Sequence, residues 1–174
     1  MRLQGKKIAF LLDEGFEDLE FWVTVMRLRE EGAQVTIVSY DGPKEYRGKN
    51  ALTAKSEVSV KAVKAADFDA VVVPGGWAPD KMRRYHEIKR FVKEFDEAGK
   101  IIGLICHAGL VGISAQVVKG HKATGSLGIK DDLVNAGATW ADEPAFRDGN
   151  LVWGRVVADI PDFCRELVAA VEQP

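Results

Sequence analysis

The chain has 174 residues, of which 47% are hydrophobic and 29% charged, a composition typical of a globular protein with a sizeable core. Its 24 basic and 26 acidic side chains leave a formal net charge of -2, which argues against a nucleic-acid or anionic-membrane partner. An unbroken run of only five apolar residues, IAFLL, precedes the first acidic pair, which is too short for a signal peptide or a membrane span. We therefore expect a cytoplasmic protein with one domain over residues 1–174.

The chain contains two cysteines, Cys106 and Cys164. In a reducing compartment, two thiols this far apart in sequence are expected to be free. No cluster of cysteine and histidine has the spacing of a zinc site. We expect neither a metal nor another cofactor.

Short apolar runs alternate with helical patterns along the first two thirds of the chain. Helical patterns at 18–32 and 86–100 each end at or next to a glycine. The apolar runs have the length and composition of parallel strands that are buried on both faces: residues 6–12, 34–39, 69–76 and 100–106. The alternation predicts a doubly wound α/β sandwich.

The last third of the chain has two further signals. Asp148-Gly149 separates two strand-like pieces within residues 145–154, which predicts a β-hairpin. A final helix is expected to begin at Asp159, whose side chain can cap the amide of Asp162.

Cys106 ends the fourth apolar run and precedes a helical pattern at 107–120. Ligands of open α/β sheets bind beyond the carboxyl ends of the strands, and a helix N-terminus favours a thiolate. A sharp strand-to-helix turn would project Cys106 as a nucleophile elbow does. The alternative is that Cys106 is a small buried apolar residue. His107 alone adds little, since adjacent residues of a helix do not face each other.

Two other predicted strand ends carry reactive groups. Gly75-Gly76 follows a strand and could donate backbone amides to an oxyanion, although a plain tight turn explains it as well. The first strand is followed by a group of acids, of which one could share a proton with the thiol, although helix capping is the alternative: Asp13, Glu14, Glu17, Asp18 and Glu20.

Six segments together resemble the PfpI/ThiJ family of intracellular cysteine proteins, most closely its intracellular protease I branch. They occur in family order over nearly the whole chain: GFEDLE, VVVPGGWAPDKMR, GLICH, KATGSLGIKDDLVNAGATW, DGNLV and DIPDFCREL. The resemblance implies a flavodoxin-like three-layer sandwich with a mainly parallel sheet, a nucleophile elbow, and assembly as a dimer or hexamer.

The resemblance also implies roles for individual residues. Cys106 would be the nucleophile, His107 its neighbour in the elbow, and Glu17 the glutamate that hydrogen-bonds the thiol. The amide of Gly76, in the Gly75-Gly76 pair, would stabilise an oxyanion together with the amide of His107.

Asp80 of a neighbouring subunit would reach the histidine, and Arg155 would line the same pocket. This chain departs from the family pattern at Ala108-Gly109, at 125–128 and at 153–157, all of which we expect near the pocket. Trp77 and Trp153 are expected to restrict its width.

The leading functional hypothesis is a cysteine-dependent glyoxalase or deglycase, in which Cys106 attacks a small reactive carbonyl and Glu17 moves protons. One alternative is an intracellular cysteine peptidase with a triad of Cys106, His107 and Asp80 completed across subunits. Another is a redox-sensing stress protein or chaperone without turnover. The substrate, a reactive carbonyl, a glycated group or a peptide, stays open.

Overall fold

The computed structural model describes residues 1–174. Its six helices are α1 Asp18–Glu30, α2 Ala78–Met82, α3 His86–Glu97, α4 Gly109–Ser114, α5 Lys130–Asn135 and α6 Ile160–Glu172. Its strands are β1 Lys7–Leu11, β2 Gln34–Ser39, β3 Glu45–Arg47, β4 Thr53–Lys55, β5 Val58–Ser59, β6 Ala70–Val73, β7 Ile101–Ile105, β8 Lys122–Ala123, β9 Thr139–Trp140, β10 Ala145–Asp148 and β11 Leu151–Gly154.

Seven strands form one sheet in the order β10-β11-β7-β6-β1-β2-β5. Every neighbouring pair is parallel except β10 with β11. The central strands β6 and β7 are buried along their whole length, as expected for parallel strands covered on both faces. The predicted α/β sandwich with a mainly parallel sheet is confirmed.

The alternation of side chains along β7 shows that helices cover both faces of the sheet. A Cβ placed on Gly103 would lie 3.1 Å from Leu167 of α6, whereas Leu104 lies against Gly112 of α4. Successive residues of a strand point to opposite faces. Helices α6 and α4 therefore occupy opposite layers, and α1 packs beside α6.

The predicted hairpin is present, with Asp148 paired to Leu151 across the turn. The helix expected at 107–120 is much shorter: a 3-10 turn from Cys106 to Ala108 leads into the six-residue α4, which ends before Gln116 at φ 59°. Asp159 precedes α6, but its carboxylate binds Arg155 instead of capping the helix. The capping prediction was wrong because a nearby guanidinium takes the carboxylate.

A small hairpin, β3 with β4, was not predicted from the sequence. Its turn is held by the buried carboxylate of Asp18, which accepts hydrogen bonds from the amides of Asn50 and Leu52, both at 2.8 Å. Gly48 permits this approach, because a Cβ there would lie 2.6 Å from the Asp18 carboxylate. The hairpin turn is thereby fixed to the start of α1.

The buried apolar side chains form one continuous core, and Trp153 is its largest fully buried member. Cys164 lies buried in α6 and, like Cys106, is a free thiol. None of the helices combines the length and apolar character needed to cross a bilayer.

We predict that Gly154→Ala destabilises the protein, because the added Cβ would lie 2.8 Å from the Phe163 ring of α6. Overpacking of this kind costs roughly 1–3 kcal/mol, or about 2–4 °C in Tm per kcal/mol for a chain of this size. The matched control is Gly128→Ala, whose Cβ would meet nothing closer than 3.8 Å. Equal melting temperatures of the two variants would contradict the prediction.

Candidate active site

Cys106 lies in a sharp turn at the carboxyl end of β7. Its φ is +60°, in the left-handed region that residues other than glycine rarely adopt. The surroundings hold this conformation: the amide of Ser126 donates to the Cys106 carbonyl at 3.1 Å, and a Cβ on Gly125 would lie 2.6 Å from the same oxygen. Such strain persists only where neighbouring structure enforces it, and it typically marks a functional turn.

Two backbone amides point at the Cys106 sulfur, those of Gly76 and His107. Gly76 has φ +78°, and a Cβ there would lie 2.4 Å from the carbonyl oxygen of Gly15. The turn is fixed by a short β-bridge between Phe16 and Gly76. These two amides are therefore placed where an oxyanion formed next to the sulfur would be stabilised.

Gly75 has a different role from the one expected. Its amide donates to Oε2 of Glu20 at 2.7 Å and so is not free for an oxyanion. A Cβ on Gly75 would lie 2.4 Å from Glu20 Oε2 and 2.8 Å from the Cβ of Cys106. Only glycine allows these two side chains to meet over the turn.

The carboxyl group beside the thiol belongs to Glu20, which is a correction to the expectation for Glu17. Glu20 is fully buried, its Oε2 lies beside Cys106 over the position of Gly75, and its Oε1 has no hydrogen-bond partner. Glu17 instead caps α1: its Oε2 accepts the amide of Glu20 at 2.8 Å, and its Oε1 accepts Nδ2 of Asn50 at 3.3 Å. The N-cap position turns the Glu17 side chain toward the helix amides and away from the sulfur.

Burial raises the pKa of Glu20 from 4.5 to about 8, and the negative charge of Glu17 adds to this effect. Burial, followed by the charge and hydrogen bond of Glu20, also raises the pKa of the Cys106 thiol, to about 12. Both effects act against the thiolate that a helix N-terminus would favour. The 3-10 turn and short α4 supply too little helix dipole to outweigh burial.

His107 lies closer to the sulfur than the sequence suggested, with Nδ1 3.3 Å from Cys106 Sγ. The argument that adjacent helical residues diverge does not apply, because the left-handed φ of Cys106 takes it out of helical geometry. Burial lowers the pKa of His107, and the charge of Lys49 adds to the shift. The imidazole is neutral at neutral pH and can accept a proton at Nδ1.

A cavity of about 630 Å³ opens over the sulfur. Fourteen residues line it: Glu17, Glu20, Lys49, Gly76, Trp77, Asp80, Lys81, Cys106, His107, Leu110, Ser126, Val156, Val157 and Ala158. Both the carboxyl group and the amide donors described above open into this space. The cavity thus combines a nucleophile with groups that can accept protons and stabilise an oxyanion.

Asp80 lines the cavity, but its carboxylate pairs with Arg84 one turn further along the chain and makes no bond to His107. Arg155 does not line the cavity, which corrects its expected role. Its guanidinium binds Asp159 and Asp142, each at 2.9 Å, and these bonds raise its pKa. Arg155 therefore anchors the start of segment 156–158, which forms one wall of the cavity.

The two tryptophans occupy different environments. Trp77 is 63% exposed at the cavity edge, where it packs on Gly15. Trp153 lies in the core beneath the elbow, against the position of Gly109, and cannot narrow the cavity. No group of three or more His, Cys, Asp or Glu side chains is placed to hold a metal ion.

Sequence reasoning missed the cavity-lining roles of Lys49, Lys81 and Leu110, whereas Ser126 and Val156 lie in segments that were expected near the pocket. Lys49 lies between Gly48 and Asn50, a turn signal that could have placed it in a hairpin loop. Nothing in the local sequence connects that loop with the Cys106 elbow, 57 positions further along by residue number. Tertiary packing alone joins them.

We predict that Glu20→Gln stabilises the protein at pH 8. A raised carboxyl pKa means that the folded state binds more protons than the unfolded state between about pH 4.5 and 8, so stability falls as pH rises through that window. Glu20→Gln cannot ionise and so does not lose this stability. At about 1.4 kcal/mol per pKa unit, its free energy of unfolding at pH 8 should exceed that of wild type by up to roughly 4 kcal/mol. Urea unfolding of both proteins at pH 5 and pH 8 measures the difference.

The matched control is Glu30→Gln, an exposed acid of the same helix, which should change the free energy of unfolding by less than about 0.5 kcal/mol at either pH. If Glu20→Gln and wild type have the same free energy of unfolding at both pH values, the pKa of Glu20 is not raised in the folded protein.

Comparison with known proteins identifies the family of this chain. The sequence profile of the DJ-1/PfpI family matches residues 6–170. A deglycase from Pyrococcus horikoshii is 38% identical over 162 residues, 93% of this chain and 97% of that protein. A Bacillus subtilis protein named as a cysteine protease candidate is 37% identical, over 93% of this chain and 96% of its own.

Among solved structures, DJ-1beta of Drosophila melanogaster superposes with a TM-score of 0.90 at 26% identity, covering 97% of this chain and 91% of that one. Profile, relatives and fold agree over nearly the whole length. The chain belongs to the DJ-1/PfpI family.

Proposed function

We propose that the protein is a cysteine-dependent enzyme that converts small reactive carbonyls, of the glutathione-independent glyoxalase or deglycase type. The observation that carries this proposal is the contact between the Cys106 thiol and the buried acid Glu20 in an open cavity. A pKa of about 8 lets Glu20 give and take a proton near neutral pH, as carbonyl isomerisation requires.

In the first step, the Cys106 sulfur attacks the aldehyde carbon of a 2-oxoaldehyde and forms a carbon–sulfur bond. The thiol proton passes to Nδ1 of neutral His107, which lies 3.3 Å away. The negative charge that develops on the aldehyde oxygen is stabilised by the amides of Gly76 and His107. Proton transfer to this oxygen completes a hemithioacetal.

In the second step, the carboxylate form of Glu20 takes the proton from the former aldehyde carbon. The same carboxyl group then returns a proton to the neighbouring carbon, while the hydroxyl proton of the hemithioacetal passes to the former ketone oxygen. The hemithioacetal thereby becomes the thioester of a 2-hydroxy acid. Water hydrolyses the thioester, releasing the 2-hydroxy acid and the free thiol of Cys106. No external oxidant or reductant is needed, since one carbon is oxidised while its neighbour is reduced.

We predict that methylglyoxal is consumed and lactate formed by the wild-type protein without glutathione. Cys106→Ser should abolish the reaction, and Glu20→Gln should slow it by roughly 100-fold or more, as expected for loss of a general acid and base. Glu17→Gln keeps a capping oxygen and should lose far less activity. Lactate formation measured by a coupled assay distinguishes the three variants.

Cys164→Ser is the matched cysteine control, because Cys164 is buried beside Thr24 and lies outside the cavity. It should react at the wild-type rate. A Glu20→Gln variant at full rate, or a Glu17→Gln variant with the larger loss, would contradict the assignment of the proton-transfer role.

Peptide hydrolysis has less support. The protease candidate among the relatives and the contact of His107 with the thiol favour it, but Asp80 pairs with Arg84 and makes no bond to His107. A triad across subunits stays a prediction, which peptide cleavage by wild type but not by Asp80→Asn would support. The redox-sensor alternative requires a thiol that oxidises readily, whereas burial raises the pKa of Cys106.

We also infer that the protein forms a homo-oligomer through α1. Leu19, Val23 and Met26 are 48%, 42% and 60% exposed and follow the i, i+4, i+7 spacing of one helix face. Light scattering should give an oligomer mass for wild type and a lower mass for Met26→Asp. A monomeric wild type would contradict the inference.

A further inference from the structure

Lys49 is held at the rim of the active-site cavity by the backbone around it. It lies in the β3–β4 turn, which the Asp18 carboxylate fixes through the amides of Asn50 and Leu52. The amide of Lys49 itself donates to the Phe16 carbonyl at 2.9 Å. The Lys49 side chain therefore starts from a fixed point, although the residue itself is exposed.

The ammonium group of Lys49 takes part in none of the salt bridges of the chain. Its positive charge nevertheless opposes the rise that burial causes in the pKa of Glu20 and adds to the fall that burial causes in the pKa of His107, so its field reaches the reacting groups. Lys81 also lines the cavity without a salt bridge, but it faces Asp13 of a neighbouring cleft as well. Lys49 is the less compensated of the two cations.

The carboxyl groups of the cavity differ in how their charge is balanced. Glu17 accepts from the Glu20 amide and from Asn50, and Asp80 pairs with Arg84. Glu20, with a pKa of about 8, is mostly protonated at neutral pH. Lys49, Lys81 and Glu17 are the charged groups of the cavity without a salt-bridge partner, and their net charge is positive.

The wall formed by segment 156–158 adds a second constraint on the ligand. Val156, Val157 and Ala158 make it apolar, and Leu110 extends the apolar lining. A cavity with a cation, an apolar wall and a nucleophile suits a short carbon chain that carries a reactive carbonyl and an anionic group. A carboxylate supplies the single negative charge that one lysine can balance.

We propose that Lys49 selects reactive carbonyl substrates that carry a carboxylate, binding the carboxylate while the carbonyl group meets Cys106. The identity of the reaction rests on the proposed function above, but the preference for a negative charge is a property of the cavity. It can therefore be measured without turnover.

The first test compares alkylation of Cys106 by iodoacetate and by iodoacetamide, which differ in charge but have the same reactive carbon. In both reactions a carbon–sulfur bond forms, iodide leaves and the thiol proton is released. Mass spectrometry of the peptide that contains Cys106 gives each rate. We expect Lys49→Gln to lower the iodoacetate-to-iodoacetamide rate ratio by roughly threefold to tenfold, the effect of removing one nearby charge.

The ratio separates charge selection from a structural effect. A change in the reactivity of the thiol alters both rates equally and leaves the ratio unchanged. Lys55→Gln, an exposed lysine of the same hairpin that does not line the cavity, is the matched control and should keep the wild-type ratio. Added salt should lower the wild-type ratio toward that of Lys49→Gln. An unchanged ratio in Lys49→Gln would overturn the proposal.

The second test measures kcat/KM for phenylglyoxal and for 4-carboxyphenylglyoxal. Preference for the carboxylated compound in wild type, lost in Lys49→Gln, supports the proposal. Conversion of both at equal rates, with no effect of Lys49→Gln, refutes it and leaves the glyoxalase function standing. Charge-selective alkylation without conversion of either compound refutes the glyoxalase function and leaves the selection by Lys49 standing.

Discussion

The contact between Glu20 and Cys106 is the constraint on which the site depends. Glu20 comes from the first turn of α1, Cys106 from the end of β7, and the Gly75 amide from the turn after β6. The carboxyl group thus brings together the segments that follow β1, β6 and β7. Burial raises the pKa of the carboxyl group, and burial together with that carboxyl group raises the pKa of the thiol.

Close approach explains the unusual backbone at this point. Gly75 and Gly76 have no Cβ, and any side chain there would meet Glu20 or the Gly15 carbonyl at 2.4 Å. Cys106 adopts φ +60° because the sulfur must face both the amides and the acid. The strained turn and the buried acid both destabilise the folded protein, and both lie at the reacting groups, as is typical of active sites.

The acidic residues after β1 each position a different part of the site. Glu17 caps α1, Asp18 fixes the hairpin turn, and Glu20 reaches the thiol. Because Asp18 holds that turn, it also places Lys49 beside the cavity. A run of acidic residues in the sequence thus helps to build a cavity whose net charge, outside its salt bridge, is positive.

The sequence by itself determined the parallel strands, the Asp148-Gly149 hairpin, the family and the position of Cys106 at a strand end, because each depends on local patterns or on motifs in fixed order. Only the tertiary structure decided that Glu20 and not Glu17 meets the thiol, that Arg155 and Trp153 lie outside the cavity, and that Lys49 lies at its rim. The physical reason is that these outcomes depend on which groups from distant segments compete for one another. The Glu17 carboxylate accepts the amide of Glu20, and the Arg155 guanidinium binds Asp159 and Asp142. A sequence shows which groups are available, but the packing of the strand ends determines which of them meet.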